Sequence, residues 1–294
     1  MDIFKFFDFG FINIMIEYAM FRIVKFHRNF FLFDKKRQHV LFFFDKMKQR
    51  RCLMRVICSF QVKKLPLHYR MAIVSIMKGS IRASSEEYYE KLYMNQKTKP
   101  FVFSPFLKNF CLKGDEIELD ELRVVISSPD YEFLLHLYNG LQSKKRFEYK
   151  GYEFIRRKIV MGNEKKITSS VVIFRTLSPL LIEDEKKIPI APDDPNYEKH
   201  INYLADTILY EYRGRGLYKP LTVRPIRFKK MVIKESNHQF TEKYGEQQHL
   251  YFTAYHGLFH MSGEPADLQL LYQLGLSKRR NQGFGMLEVE EVKE

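Results

Sequence analysis

Gly275-Leu276-Ser277-Lys278-Arg279-Arg280-Asn281-Gln282-Gly283-Phe284-Gly285 is the stretch around which the chain is organised. An apolar, helix-like segment precedes it, and the strand-like residues Met286–Val289 follow it. Its glycines permit positive φ angles and let backbone N–H groups approach an anion. Lys278, Arg279 and Arg280 add adjacent cations, as a phosphate-binding loop would need. The alternative is a plain helix-to-strand connection in which the glycines only turn the chain.

A nucleotide-binding P-loop does not fit this stretch. That motif places Gly-Lys-Ser/Thr at the start of a helix, whereas this loop leads into a strand. If the loop binds phosphate, a nucleic-acid backbone is therefore the better candidate.

The composition is that of a folded protein with a polyanionic partner. With 294 residues, of which 45% are hydrophobic, the chain can bury the core of one large or two ordinary domains. A formal net charge of +14 favours nucleic acid over a membrane as the partner. Cys52, Cys58 and Cys111 are too scattered for a disulfide framework or a zinc site. We therefore expect buried thiols in a reducing cytoplasm, and neither a metal nor a cofactor.

Residues 1–53 form an atypical N-terminal extension. They contain 13 of the 27 phenylalanines and keep neither helical nor strand periodicity. The longest apolar run, residues 9–21, is interrupted by Glu17 and is too short to span a bilayer. A basic amphipathic anchor at residues 21–28 is one interpretation. We prefer another, in which Met54 is the true start; a mass spectrum of native protein beginning before Met54 would contradict it.

After Met54, the pattern of apolar residues predicts strands and helices in the order β-α-β-β-α-β. Ser84-Ser85 and Asp130 are polar residues at which helices are expected to begin. Prolines, glycines and polar turns bound the strand-like segments. The predicted strands are residues 55–62, 101–104, 106–112, 117–127 and 147–160, of which the last segment forms one or two strands. The predicted helices are residues 68–81, 84–93 and 130–141.

The second half repeats that order, although no residue-level repeat is visible. The predicted strands are residues 169–176, 221–233, 249–259 and 282–289, and the predicted helices are residues 196–212 and 264–274. Tandem β-α-β-β-α-β units predict an α+β protein with two ferredoxin-like (RRM-like) domains, each an antiparallel sheet with helices on one face. The predicted domains are residues 54–162 and residues 163–294, and the second contains the glycine-rich loop 275–285.

Two strings of residues give the chain a resemblance to a known family. Met54-Arg55-Val56, followed by Leu65–Arg70, is similar to that family's first strand and helix. Leu270–Leu276, leading to Gln282-Gly283-Phe284-Gly285, is similar to its terminal signature. With the tandem fold, these strings resemble the CRISPR repeat-cleaving endoribonucleases, the sixth CRISPR-associated family within the repeat-associated (RAMP) superfamily. The resemblance covers about residues 54–290.

The resemblance implies metal-independent cleavage of the CRISPR precursor transcript within each repeat. The 2′-hydroxyl upstream of the scissile phosphate attacks it, and the products carry a 2′,3′-cyclic phosphate and a 5′-hydroxyl. Such a reaction needs a base for the 2′-hydroxyl, an acid for the leaving 5′-oxygen and a cation for the phosphorane.

The resemblance also implies where these groups lie. Many members use a histidine after the first helical region, a tyrosine in the first helix and a lysine just before the next strand. Alignment on the strand Phe101–Ser104 places Lys99 at the lysine position and Tyr93 at the histidine position. Met77 or Lys78 stands at the tyrosine position. The predicted catalytic residues are Tyr93, Lys78 and Lys99; the alternatives are an aromatic that packs on the sheet and solvated lysines.

The sequence gives less support for a functional role of the histidines. His68 stands at the start of the first helix, where capping or exposure is expected. His256 and His260 share one face of a strand, but no third ligand is near them in the sequence, so no metal site is predicted.

We therefore predict a metal-independent, repeat-specific endoribonuclease that makes guide RNAs. Its expected partners are the CRISPR repeat RNA, as precursor and as mature guide, and no membrane; other effector subunits and a second copy of the chain are left open. The competing interpretations are a catalytically inactive repeat-RNA-binding subunit of an effector complex and a membrane-attached basic protein. The residues predicted to bind the RNA backbone are Gly275, Ser277, Lys278, Arg279, Arg280, Gln282, Gly283 and Gly285.

Overall fold

The computed structural model describes residues 55–94, 98–235 and 248–293, together with residues 242, 243 and 245. The extension 1–53, the predicted start at Met54 and Cys52 lie outside the described residues. The strands are β1 (Arg55–Gln61), β2 (Lys64–Pro66), β3 (Val102–Lys108), β4 (Cys111–Lys113), β5 (Glu116–Glu118), β6 (Glu121–Ser127), β7 (Arg146–Tyr149), β8 (Tyr152–Gly162), β9 (Val171–Thr176), β10 (Thr222–Glu235), β11 (Leu250–Ser262) and β12 (Leu287–Lys293). The helices are α1 (Arg70–Ser84), α2 (Glu86–Tyr93), α3 (Tyr131–Ser143), α4 (Tyr197–Arg213) and α5 (Pro265–Leu274), with a 3₁₀ turn at Arg280–Gln282.

The first half of the described chain forms a five-stranded antiparallel sheet in the order β3-β6-β1-β8-β7. Val56, Cys58 and Phe60 alternate along β1 on its buried face. They share one apolar core with residues of α1 and α3, among them Ile73 and Phe133. Without β7, the strand order is that of a ferredoxin-like sheet, in which the first and third strands are central.

The second half forms a four-stranded antiparallel sheet in the order β10-β11-β9-β12, which is the same order of strands. Phe174 and Phe259 of this sheet share a second core with Ile201 of α4 and Leu271 of α5. The predicted α+β fold with two tandem ferredoxin-like units is therefore confirmed. The domain limits, residues 54–162 and 163–294, stay a prediction.

The strands predicted at residues 106–112 and 117–127 have the wrong limits. β3 continues through Pro105, which an edge strand tolerates because its missing N–H faces no neighbour. The chain leaves this sheet at Asn109, where φ is +50°, and it returns at Asp120, whose N–H donates to the Lys108 carbonyl at 3.1 Å. Between these points, β4 and β5 form a separate three-stranded sheet with β2.

The closing strand also begins later than predicted. Residues 282–286 are not part of β12, which starts at Leu287. The Gly285 N–H donates to the Pro179 carbonyl at 2.8 Å, and the Met286 N–H donates to the Ser178 hydroxyl at 2.9 Å. These contacts hold the end of the glycine-rich loop against residues 178–179, so the ladder with β9 starts only after them.

Two helices begin at the predicted caps. The Ser85 hydroxyl accepts the Tyr88 N–H at 3.1 Å, and the Asp130 carboxylate accepts the Phe133 N–H at 3.1 Å. Both bonds satisfy a backbone donor that the first turn of a helix leaves open. α2 and α3 therefore start where the sequence predicts.

Buried ion pairs join the two halves. Arg55 Nη1 lies 2.6 Å from Glu288 Oε2, and Arg55 Nη2 donates to the Leu287 carbonyl at 2.6 Å. The Arg55 guanidinium also stacks 4.3 Å from the centroid of the Tyr272 ring. Arg70 and Glu235 form a second pair at 3.3 Å. Breaking such a pair leaves an uncompensated buried charge, so these contacts fix how the first sheet lies against the second.

Membrane-spanning helices and metal clusters do not occur in the part of the chain that the structure describes. No helix there is long and apolar enough to cross a bilayer. No group of three or more His, Cys, Asp or Glu side chains there is arranged to hold a metal ion. Cys58 is buried, which raises the pKa of its thiol to about 12, whereas Cys111 is exposed. The expectation of buried thiols is thus confirmed for Cys58 and wrong for Cys111.

Candidate functional site

The fold brings the three predicted catalytic residues together. Tyr93 is the last residue of α2, Lys78 lies in α1, and Lys99 lies in the loop before β3. Lys78 Nζ is 5.0 Å from the centroid of the Tyr93 ring, and Lys99 Nζ is 5.5 Å from the same centroid. Both distances are within the range of about 6 Å over which an ammonium is attracted to an aromatic face. One aromatic ring thus gathers two cations; we call these three residues the Lys-Tyr-Lys cluster.

The Tyr93 hydroxyl is buried and has no hydrogen-bond partner among the described residues. Burial, with a smaller contribution from Tyr89, holds the pKa of this hydroxyl above its ordinary value. It is therefore a neutral proton donor at physiological pH. A buried donor without an acceptor is uncommon, because desolvation costs free energy that no bond returns.

Lys99 is a second member of the cluster with a shifted pKa. Burial lowers the pKa of its ammonium, and the positive charge of Lys78 lowers it further. Each cause disfavours the protonated form, so a larger fraction of Lys99 is neutral near physiological pH than for an ordinary lysine. The cluster therefore contains one group that is able to accept a proton and one that stays a donor.

A second aromatic–cation contact continues the cluster along α1 and α2. The rings of Tyr89 and Tyr93 lie 4.9 Å apart between centroids, and the Arg82 guanidinium lies 4.1 Å from the Tyr89 ring centroid. Alternating cations and aromatic rings are what single-stranded RNA needs, since its phosphates pair with the cations and its bases stack on rings.

A cleft of about 350 Å³ adjoins Lys99. Its walls come from α2, the loop 98–100 and the cap of α3 on one side, and from α4, the end of α5 and the 3₁₀ turn on the other. Both halves of the chain thus contribute to it. Its polar lining includes Lys91, Lys99, Asp130, Glu211 and Arg280.

The glycines of the loop 275–285 serve close packing. Gly275, Gly283 and Gly285 all have φ between +70° and +90°, which side chains other than hydrogen disfavour. A Cβ atom on Gly275 would lie 2.8 Å from Val102 Cγ2, and one on Gly283 would lie 2.9 Å from Phe103 Cε2. A Cβ atom on Gly285 would overlap the Cβ of Ser277. The loop is therefore pressed against β3.

Ser277 and Arg280 point into the protein. The Ser277 hydroxyl accepts the Leu181 N–H at 2.8 Å and donates to the Leu181 carbonyl at 3.1 Å, so both of these bonds are internal. Arg280 is 5% exposed, and its Nη1 donates to the Leu274 carbonyl at 2.8 Å. Burial lowers the pKa of Arg280 to about 10, and the negative charge of Glu211 opposes that change. The sequence predicts three adjacent cations that bind phosphate at the surface. This prediction is wrong for Arg280, because its side chain is buried.

Lys278 and Arg279 remain at the surface of the loop. Lys278 is half-buried and Arg279 is exposed. The Arg279 guanidinium lies 4.5 Å from the Phe252 ring centroid, and its Nη1 donates to Gln282 Oε1 at 3.2 Å. The RNA-binding role of the loop stays a prediction, which these exposed side chains are best placed to serve.

His136 is a residue that sequence reasoning missed. Its Nδ1 lies 3.0 Å from the Ser84 hydroxyl, and its ring stacks on the Tyr88 ring at 4.5 Å between centroids. Tyr88 in turn donates to Asp130 Oδ2 at 3.2 Å and lines the cleft. No local motif marks His136, because its partners come from α1, α2 and the cap of α3.

The three histidines considered in the sequence analysis, His68, His256 and His260, contact residues outside the Lys-Tyr-Lys cluster. His68 stacks with His249 at 5.8 Å between ring centroids, so His68 is in contact with the second half. His256 and His260 both lie on β11, four residues apart and so on one face, as predicted. The His256 Nδ1 lies 2.8 Å from the Thr176 hydroxyl.

Comparison with known proteins gives consistent matches. Residues 162–289 match the family model described as CRISPR associated protein Cas6, C-terminal. The chain is 25% identical over 232 residues to the CRISPR-associated endoribonuclease Cas6 of Pyrococcus furiosus, covering 77% of this chain and 84% of that protein.

Solved structures share the fold. A structure described as an RAMP protein binding different RNA substrates has a TM-score of 0.67 and 17% identity, covering 81% of this chain and 100% of that one. The product of a Cas6-related gene from Pyrococcus furiosus has a TM-score of 0.66 and 19% identity, covering 82% of this chain and 99% of that one. The chain is therefore similar to the Cas6 family of CRISPR-associated proteins, through the match of residues 162–289 and through the shared fold.

Proposed function

We propose that the chain is an endoribonuclease that cuts CRISPR precursor RNA within its repeats, in the cytoplasm and without a metal ion. The reaction is transesterification by the 2′-hydroxyl upstream of the scissile phosphate. The products are an upstream RNA with a 2′,3′-cyclic phosphate and a downstream RNA with a 5′-hydroxyl. The proposal requires neither a second copy of the chain nor other subunits.

The observation that carries the proposal is the Lys-Tyr-Lys cluster. In-line attack at phosphorus needs a proton acceptor, a proton donor and a positive charge within reach of one phosphate. The ammonium groups of Lys78 and Lys99 each lie within 5.5 Å of one ring centroid, and that ring bears the buried hydroxyl. The similarity to Cas6 supports the same reaction, since the Pyrococcus furiosus relative is described as an endoribonuclease.

In this mechanism each group has one task. Neutral Lys99 removes the proton from the 2′-hydroxyl, and the 2′-oxygen forms a bond to phosphorus. Tyr93 gives its hydroxyl proton to the 5′-oxygen as the bond between that oxygen and phosphorus breaks. The Lys78 ammonium stabilises the negative charge that builds on the phosphorane oxygens. The raised pKa of Tyr93 suits the acid, because its proton stays in place until an alkoxide develops.

The experiment uses the full chain, the host's own repeat RNA and EDTA. We expect a single cut per repeat, an upstream product that keeps a cyclic phosphate, and a downstream product with a 5′-hydroxyl. A repeat with a single 2′-deoxy nucleotide before the cut should bind but remain intact. Dependence of cleavage on added Mg²⁺, or cleavage of the 2′-deoxy substrate, would contradict the proposed mechanism.

A second candidate function is a repeat-RNA-binding subunit without catalysis. The buried position of the Tyr93 hydroxyl favours it, because the Tyr93 ring packs against the apolar core of the first half. This candidate predicts tight and salt-dependent binding of the repeat with no product after long incubation. The same assay separates the two functions, because binding and cleavage are measured on one RNA.

A further inference from the structure

The cleft beside Lys99 has the size and lining of a site for one small ligand. Its volume of about 350 Å³ is near the lower end of the range of roughly 300–1,000 Å³ in which such sites fall. An RNA duplex is far too wide for it, whereas one unstacked base fits. Lys99 belongs both to the lining and to the Lys-Tyr-Lys cluster. A nucleotide next to the cut phosphate would therefore reach the cleft.

Two carboxylates line the cleft, and their surroundings differ. Both oxygens of Asp130 already accept hydrogen bonds, one from the Phe133 N–H and one from the Tyr88 hydroxyl. Glu211 forms no hydrogen bond or ion pair with any residue that the structure describes. Its negative charge nevertheless acts to raise the pKa of the nearby buried Arg280, against the larger effect of burial. Glu211 is exposed, so its two acceptor oxygens face solvent at the cleft and are accessible to a ligand.

Tyr212 is a partly exposed aromatic side chain of the cleft lining. Tyr212 follows Glu211 in α4, lines the cleft and keeps 38% of its surface exposed. Ile208 and Leu274 complete an apolar wall. Bases of single-stranded RNA are commonly held in this way, with the flat face on an aromatic ring and the Watson–Crick edge on polar groups.

Resting on the proposed function, we infer that this cleft binds the base of the nucleotide beside the cut and selects guanine through Glu211. Guanine is the base whose Watson–Crick edge presents two adjacent N–H donors, at N1 and N2, and a carboxylate matches them with its two oxygens. Adenine and cytosine each present an acceptor beside their amino group, which a carboxylate repels. Uracil presents one donor between two acceptors.

The first test replaces each of the two nucleotides that flank the cut with all four bases, and compares wild type with Glu211→Gln. At one of the two positions, wild type should prefer guanine by about 10- to 100-fold in kcat/KM. Glu211→Gln should reduce that preference to a few-fold, because an amide has a single acceptor oxygen. The matched control is Glu185→Gln, which neutralises an exposed carboxylate outside the cleft and should keep the preference. Wild type without a base preference at either position would overturn the inference.

A second pair of variants covers the case in which Glu211→Gln unfolds. Tyr212→Ala should weaken RNA binding by about 5- to 100-fold, because a stacked base loses its ring. Tyr212→Phe keeps the ring and should bind like wild type. Equal weakening by both variants, or by neither, would contradict a stacking role.

A third measurement does not depend on cleavage. The four ribonucleoside 2′,3′-cyclic phosphates are tested for binding to the full chain by ligand-observed NMR. The guanosine compound should give the strongest saturation transfer, and Glu211→Gln should abolish the difference among the four. If the protein binds guanosine selectively but cuts no RNA, the cleft inference stands while the proposed nuclease function fails. If all four compounds behave alike, the inference fails whatever the nuclease assay shows.

Discussion

In the loop 275–285, the side chains of Ser277 and Arg280 turn inward, whereas in the Lys-Tyr-Lys cluster the charged groups converge beside a cleft. The Ser277 hydroxyl bonds to Leu181, and Arg280 bonds to the Leu274 carbonyl. By contrast, Lys78 and Lys99 meet at the Tyr93 ring, and Lys99 also lines the cleft. The difference teaches that a glycine-rich basic string is a weak indicator of an exposed phosphate site. Where the glycines of such a loop pack against another strand, the primary role of the loop is structural: it connects a helix to a strand and allows close packing.

The largest expected effect tests the cluster. Lys78→Ala and Lys99→Ala should each lower the single-turnover cleavage rate by about 10²- to 10³-fold, because each removes a charge or a base from the reacting phosphate. Lys199→Ala, an exposed lysine of α4, should stay within about twofold of wild type. Repeat affinity measured in parallel by filter binding should fall far less than the rate. A loss confined to binding would remove both lysines from the chemistry.

The next largest effect tests the structural role of the glycine-rich loop 275–285. Gly285→Ala should lower the free energy of unfolding by about 3 kcal/mol, since it adds a Cβ in a left-handed conformation and against Ser277. Gly79→Ala is the matched control, because a Cβ there meets nothing within 4 Å and α1 gains a better helix former. It should raise the free energy of unfolding by roughly 0.5–1 kcal/mol. Urea unfolding followed by circular dichroism measures both, and equal effects would contradict the packing role of Gly285.

A smaller effect concerns pH. The pKa of Lys99 is lowered, so the neutral amine increases about tenfold for each pH unit below that pKa. The cleavage rate should rise with that slope and level off below pH 10.5, the ordinary pKa of lysine. Lys99→Ala should lack this dependence. A wild-type rate that falls as pH rises through this range would show that the protonated form is the active one.

The same shift affects stability with a defined sign. Between the lowered pKa of folded Lys99 and the ordinary value of the unfolded chain, the unfolded state binds more protons. The contribution of Lys99 is therefore least favourable below the folded pKa and improves as pH rises through this window. Comparison of wild type with Lys99→Ala in urea at several pH values checks it.

The smallest expected effect distinguishes the role of Arg279 in RNA binding from the structural role of its neighbour Arg280. Arg279→Ala should weaken repeat binding a few-fold and reduce the slope of log affinity against log salt by about 0.7, as the loss of one phosphate contact to single-stranded RNA does. Arg280→Met should keep that slope, because the guanidinium is buried on the Leu274 carbonyl. It should instead lower the free energy of unfolding by about 1–3 kcal/mol. A changed salt slope in Arg280→Met would mean that this side chain reaches the RNA.

Local signals in the sequence predict the elements well and their assembly less well. Ser85 and Asp130 predict two helix starts because a cap needs only residues three positions away. The excursion between Asn109 and Asp120 is not predictable in the same way. A short strand between turns has the same pattern whether it pairs in the main sheet or in a separate one.

The site is predictable only in part, for a related reason. The resemblance places Lys78, Tyr93 and Lys99 one by one, but their meeting depends on how α1, α2 and the loop before β3 pack. The inward turn of Ser277 and the contact between His136 and Ser84 depend on residues that are distant in sequence. Neither leaves a pattern that spacing would reveal.

The contact of Arg55 with Leu287 and Glu288 has a consequence for how the protein is made. The Arg55 and Leu287 partners are 232 residues apart, so at about 5–20 residues per second the ribosome needs roughly 10 to 50 s to supply the second after the first. During that interval β1 carries an unpaired guanidinium, and β3 lacks the loop that covers Val102 and Phe103. The first sheet is thus synthesised long before Arg55 can reach its partners in the second half.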